Sequence, residues 1–325
     1  MHPMIKKTLL LFCAGILAAT QGIAADAYPD RPVRIIDGYS AGGGTDYVAR
    51  YLASKMGADF GASVIVENRP GASGQIGMSY VAKSKPDGYN LMVIPNELWS
   101  VAPILYKRLP YDVERELTPV ATLADIPLVL TASAKVTAGS VPELIAYAKQ
   151  NPGKLTFGTA GAGTIHHLTA ELFNSMAKVN MVHVPYKGTS MAVADLLAGQ
   201  IDLVFSPITA VLPHIKSGKL KALAVTTKKR VSALPNTPTI AESGLPGYEG
   251  GVWVFLVAPA GTPNEVIEKW IAQAKKVFST EEARNVLAVQ GVEPLFLTRD
   301  EIRQRNKEDS VRWQKVINDA KISIE

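Results

Sequence analysis

Backbone amides, more than acids or thiols, carry the chemistry this chain advertises. An apolar run, Val33-Arg34-Ile35-Ile36-Asp37, leads into Gly38-Tyr39-Ser40-Ala41-Gly42-Gly43-Gly44-Thr45-Asp46, and an amphipathic helical pattern follows. Glycines let successive N–H groups turn toward one point with no side chain in the way. A helix that starts there adds unpaired N–H groups and the positive end of its dipole. Together these make an anion site. A second unit of the same kind follows further on. Leu155-Thr156-Phe157 runs into Gly158-Thr159-Ala160-Gly161-Ala162-Gly163-Thr164, and a helix opens at Ile165. On two facing domains, two such units would oppose their helix N-termini across a cleft and grip one carboxylate from both sides.

Other chemistry fits less well. Gly38-Tyr39-Ser40-Ala41-Gly42 matches a G-x-S-x-G nucleophile turn, and Asp202 and His214 follow in the order a hydrolase triad would need. A secreted α/β hydrolase using Ser40 is therefore the alternative reading. Against it, the turn lies on the first strand, with no room upstream for an oxyanion loop. Tyr47 stands where a dinucleotide loop needs its third glycine, the second loop fails in the same way, and neither carries a P-loop lysine. His166 and His167 are adjacent, so on a helix they point about 100° apart and cannot chelate one metal. One is expected to pack and the other to lie near the cleft. Asp46 is expected to satisfy loop N–H groups. Trp99 and Trp253 have two readings, core or cleft wall. Glu97 also has two, recognition of a polar ligand end or an exposed loop charge. No metal or cofactor is expected.

Composition narrows the class. The chain has 325 residues and a formal net charge of +5, which becomes +3 without Lys6 and Lys7. Those two lysines, the apolar run 8–19 and the small residues Ala24, Ala25 and Ala27 form a secretory-signal pattern over 1–25. The apolar run is shorter than the roughly 18–20 residues a membrane span needs. Cys13, the one cysteine, falls inside it, which leaves the mature chain without a thiol. The basic residues are scattered, and Lys228-Lys229-Arg230 reads as a solvated turn, so nucleic acid is not an expected partner.

Strand-like runs at 33–36, 64–67, 91–94, 128–131, 155–157, 181–184, 201–205, 222–226 and 252–258 alternate with helical patterns. That alternation predicts an α/β fold with mainly parallel sheets, in two domains. Ser140, Thr262 and Thr298, each with Glu three residues on, predict capping boxes. Val48, Tyr51, Leu52 and Met56 share one helix face, as do Leu168, Leu172, Phe173 and Met176.

Several segments resemble the substrate-binding receptors of tripartite tricarboxylate transporters, the Bug receptors. They are Tyr28-Pro29-Asp30-Arg31-Pro32-Val33-Arg34-Ile35-Ile36, the Gly-Gly-Gly-Thr-Asp loop, Val66-Glu67-Asn68-Arg69-Pro70-Gly71-Ala72, Lys85-Pro86-Asp87-Gly88-Tyr89 and Leu109-Pro110-Tyr111-Asp112. Val184-Pro185-Tyr186-Lys187-Gly188, Asp195-Leu196-Leu197-Ala198-Gly199-Gln200-Ile201-Asp202 and Ala258-Pro259-Ala260-Gly261-Thr262-Pro263 complete the series. The resemblance implies a two-lobed periplasmic binding protein of the type II, Venus-flytrap kind, with a cleft between lobes. It implies a first lobe of 26–123 and 227–325, a second of 124–226, and no catalysis. It implies a monomer that delivers a small carboxylate to the membrane subunits of a tripartite transporter. The expected ligand residues are Tyr39, Ser40, Gly43, Gly44 and Thr45 on one side and Thr159, Ala160, Gly161, Gly163 and Thr164 on the other, with Asn96, Trp99, Ser206 and Trp253 between. The chain departs from the family at Asp37-Gly38-Tyr39-Ser40 and at Pro95-Asn96-Glu97-Leu98-Trp99. Tyr39 and Trp99 suit a planar or aromatic carboxylate, a dicarboxylate is the other expected class, and Glu97 would suit a ligand with an amine or hydroxyl instead.

Overall fold

Two β-sheets, each with its own apolar layers, organise the chain. A computed structural model describes residues 28–56 and 60–324. The signal segment expected at 1–25 lies outside them. The first sheet has the order β11-β4-β10-β3-β1-β2. Its strands are β1 (Val33–Asp37), β2 (Val64–Asn68), β3 (Asn90–Pro95), β4 (Leu117–Ile126), β10 (Val252–Pro259) and β11 (Glu293–Pro294). The second has the order β7-β6-β8-β5-β9. It contains β5 (Leu128–Ala132), β6 (Thr156–Thr159), β7 (Val182–Pro185), β8 (Leu203–Pro207) and β9 (Lys221–Val225).

Period-two alternation divides β1 between faces. Val33 and Ile35 enter one core layer beneath the Gly44–Lys55 and Asn264–Phe278 helices, while Ile36 enters the other with Met92 and Ile94. The sheets are mixed, not mainly parallel. β1 pairs in parallel with β2 and β3, and β6 with β7 and β8, but β10, β4, β11, β5 and β9 join antiparallel. The reason is the double crossing. β4 leaves the first sheet at Ile126, β5 begins the second at Leu128, and β10 returns beside β4 in the opposite direction. β4 has no counterpart in the sequence reading, because Pro119 interrupts its pattern. The structure accommodates Pro119 next to a register shift against β10, where a ladder donor is not needed.

The sequence boundary at 226 moves. Ile240, Leu245 and Tyr248 lie in the core of the second sheet, Val231 and Leu234 lie on its other face, and the Tyr248 hydroxyl donates to the Thr169 carbonyl at 2.7 Å. The stretch 227–250 therefore packs with the second lobe. Thr298 and Glu301 make the full capping box. Thr262 does not, since its hydroxyl donates to Pro259 O and the helix begins at Asn264. Among the described residues no helix is long and apolar enough to cross a membrane. Replacing Tyr248 with Ala should cost about 3–5 kcal/mol, as for other buried aromatics. Urea unfolding should show the loss, and hydrogen exchange should place it in the second sheet and the Ile165–Ala177 helix rather than in β1.

Candidate functional site

Asp37 closes β1 and lies fully buried beneath the first glycine loop. It accepts from the Thr45 hydroxyl at 3.0 Å and from the Tyr39 N–H at 3.2 Å. Burial pushes its carboxyl up to about 7, against the opposing pull of those hydrogen bonds. Asp46, in the first turn of the Gly44–Lys55 helix, accepts from Gly42 N–H at 2.9 Å and pairs with Arg50 at 2.9 Å. Burial alone would raise its pKa, but Arg50, Gly42 and Asn68 together bring it below the ordinary value. Asn68 ties the loop down, donating to Asp46 at 2.9 Å and to Tyr39 O at 3.1 Å. Gly42 holds φ at +87°, which suits glycine and turns its N–H toward Asp46. With these acceptors committed, the N–H groups of Gly43, Gly44 and Thr45 have no partner among the described residues.

The second loop is built the same way. Thr159 sits at the end of β6, nearly fully buried, and its hydroxyl accepts from Gly161 N–H at 3.2 Å. Gly161 holds φ at +138°, strained for any other residue. Thr164 caps the Ile165–Ala177 helix through His167 N–H. His167 Nδ1 accepts from Gly163 N–H at 3.1 Å, so its proton is assigned to Nε2, which faces Glu171 at 3.6 Å. Its ring stacks on His183 at 3.8 Å. His167 is thus the packed member of the pair.

The two loops meet across a cleft of about 390 Å³. From the first side come Tyr39, Gly43, Gly44 and Thr45, and from the second Ala160, Thr164, Ile165 and His166. Ser73, Pro95, Glu97, Ile126, Lys187, Gly188, Thr189, Pro207 and Val252 complete the wall. Both ring nitrogens of His166 are buried and unpartnered among the described residues. Burial depresses its pKa to about 4, so the ring is neutral near pH 7. Glu97, from the segment after β3, bridges the lobes. Its Oε2 accepts from Ile165 N–H at 3.1 Å and its Oε1 from the Tyr39 hydroxyl at 3.1 Å.

Six of the fourteen expected ligand residues line this cleft: Tyr39, Gly43, Gly44, Thr45, Ala160 and Thr164. Thr159, Gly161 and Gly163 shape the second loop from behind. Ser40 is exposed and outside the wall. Asn96 is buried, donating to Asp309 and accepting from Trp253 N–H. Trp253 is also core, with its indole N–H given to Asp309 at 3.0 Å. Trp99 is core against Phe255 and donates to Glu114. Ser206 is buried in β8. Of the two triad partners, Asp202 is committed to the N–H and hydroxyl of Thr156. Lys187, Thr189 and Val252 carried no sequence signal for the cleft. A separate cavity of about 420 Å³ lies at the crossing strands. Six of its charged residues pair with one another: Arg305 with Asp125 and Glu249, Arg312 with Glu249 and Asp309, and Lys228 with Glu249.

A family model described as the tripartite tricarboxylate transporter family receptor matches residues 48–322. The chain belongs to this family. It is 37% identical to Protein BugT of Bordetella pertussis, over 97% of this chain and 98% of that one. Among solved structures, an R. palustris protein, Rpa4515 with adipate, superposes with a TM-score of 0.83 at 34% identity, over 91% of this chain and 99% of that one. MatC from Rhodopseudomonas palustris with bound malate gives 0.77 at 30%, over 89% and 100%. These matches fit a two-lobed periplasmic-binding-protein fold with the cleft between its sheets.

The neutral His166 gives a pH prediction. Its folded pKa lies near 4 and its unfolded one near 6.5, so as pH falls the unfolded chain takes up the proton first. The stability this contributes is complete above pH 6.5 and is lost as pH falls toward 4. His183, also depressed to about 4, acts in the same direction. His166→Phe should flatten the decline of Tm between pH 6.5 and 4.5 relative to the parent protein. Parallel declines would remove His166 from that balance.

Proposed function

We propose that the protein is a periplasmic solute-binding receptor that captures a small organic carboxylate between the 38–46 and 158–164 loops. It closes its lobes on the ligand and delivers it, as a monomer, to the membrane subunits of a tripartite transporter. The observation that carries this reading is the set of unpartnered N–H groups at Gly43, Gly44 and Thr45. They sit at a helix N-terminus and face a second helix N-terminus across the cleft. Such an end holds an anion through amides and dipole together. The names of two solved relatives, one with adipate and one with malate, support a carboxylate. Lobe closure around the bound solute is the hinge motion suited to such a receptor.

A thermal-shift screen of mono-, di-, tri- and aromatic carboxylates tests the reading. A ligand at about 100 times its Kd should add about 2.7 kcal/mol of stability. No response to any carboxylate, with ester hydrolysis abolished by Ser40→Ala, would favour the hydrolase instead.

The two-sided grip has its own test. A Cβ at Gly43 meets nothing nearer than Ser40 O at 3.6 Å, so Gly43→Val should fold. Its methyls would crowd the anion position. Ala160→Val does the same from the second loop, without the strain a substitution at Gly161 would bring. Each should weaken binding by about tenfold, near 1.4 kcal/mol. Calorimetry giving parental Kd for both variants would refute the pincer.

A further inference from the structure

One of the two jaws already holds a carboxylate, and it belongs to the protein. Glu97 reaches from the first lobe to the start of the Ile165–Ala177 helix and accepts from its first N–H at 3.1 Å. The Tyr39 hydroxyl holds its other oxygen at 3.1 Å. The carboxylate lines the same cleft as Gly43, Gly44 and Thr45. His166 stands beside it, neutral, with both ring nitrogens buried and unpartnered. The cleft is therefore asymmetric. Its first end offers the unpartnered Gly43, Gly44 and Thr45 amides and a helix dipole, the Asp37 and Asp46 carboxylates there being taken up by Tyr39, the Thr45 hydroxyl, Gly42, Asn68 and Arg50. Its second end offers the Glu97 oxygens as acceptors, and the neutral His166 ring beside them supplies one acceptor and one N–H donor.

From this asymmetry we infer that Glu97 is a specificity-determining residue that restricts the receptor to monocarboxylates carrying a hydrogen-bond donor, a hydroxyl or an ammonium, at the far end. The inference rests on the carboxylate-receptor reading and narrows its substrate class. A ligand carboxylate at Gly43–Thr45 would point its far end at Glu97 and His166. A donor there gains an acceptor. A second carboxylate there meets the Glu97 carboxyl group, whose acceptors it cannot use, and cannot displace it without breaking its bonds to Ile165 and Tyr39. Lys187 is exposed at the rim on the second lobe. Glu97 works by rejection as well as by attraction.

The test uses matched pairs on three scaffolds: adipate against 6-aminohexanoate and 6-hydroxyhexanoate, succinate against 4-aminobutyrate, and terephthalate against 4-hydroxybenzoate. Kd values are measured by calorimetry for the parent protein, Glu97→Gln and Glu97→Ala. On the scaffold that fits, the parent should prefer the donor-bearing monocarboxylate by at least tenfold. Both variants should shift that ratio at least tenfold toward the dicarboxylate. A parent that binds the dicarboxylate equally or better refutes the inference and leaves the receptor reading intact. So does a ratio unmoved in folded variants. Binding of none of these carboxylates overturns the receptor reading, and the inference with it. The parent's own preference decides the matter even if neither variant folds.

Discussion

A helix cannot satisfy its own first N–H groups, and everything at this cleft follows from where those donors find acceptors. In the first loop, Asp46 takes Gly42 and Asp37 takes Tyr39, which leaves Gly43, Gly44 and Thr45 free for a ligand. In the second, Thr159 takes Gly161, His167 takes Gly163 and Glu97 takes Ile165. The acceptors are side chains of the protein itself, Asp37 and Thr159 at strand ends and Asp46, His167 and Glu97 on helices, so the fold itself shapes the loops. The construction has an energetic cost. Asp37 is buried, and that burial outweighs its hydrogen bonds and the nearby Arg50 charge, which is why its carboxyl is pushed up to about 7. The Thr45 and Tyr39 donors and Asn68, which also reaches Asp46, partly offset that cost.

Two strands bring the jaws into register. β4 and β10 run side by side for most of their length and carry the chain between sheets. The Arg299–Asp319 helix covers this crossing. Its Asp309 accepts from the Trp253 indole at 3.0 Å and from Asn96 at 3.1 Å, while Arg305 and Arg312 reach Glu249 on the returning segment. Residues that look like cleft candidates in the sequence thus serve the frame. Asn96 and Trp253 face the crossing, one register away from Glu97, which faces the ligand space.

Much of the fold was legible because burial and period are local signals. Each of the nine strand-like runs overlaps an observed strand, and the Val48, Tyr51, Leu52 and Met56 stripe is buried as its spacing predicts. β4 was illegible because Pro119 breaks the pattern, and only a register shift against β10 makes room for it. The segment 227–250 was misplaced for a different reason. A chain that has left a lobe can fold back on it, and only the packing of Ile240, Leu245 and Tyr248 records that. At the site, the glycine loops were legible, since positive φ and close backbone approach demand glycine. The direction of each neighbouring side chain was not.

The sequence by itself determined the two strand–loop–helix units and the family. Glycine placement and hydrophobic period act over a few residues and leave few alternatives. Only the tertiary structure decided that Glu97 crosses between lobes to occupy one jaw, that His166 rather than His167 faces the cleft, and that both tryptophans are core. Those outcomes depend on contacts between residues far apart in the chain. Glu97 and Ile165 are 68 positions apart and joined by a single hydrogen bond. No local pattern encodes such a contact, because it exists only once both sheets have packed and the crossing strands have fixed their separation.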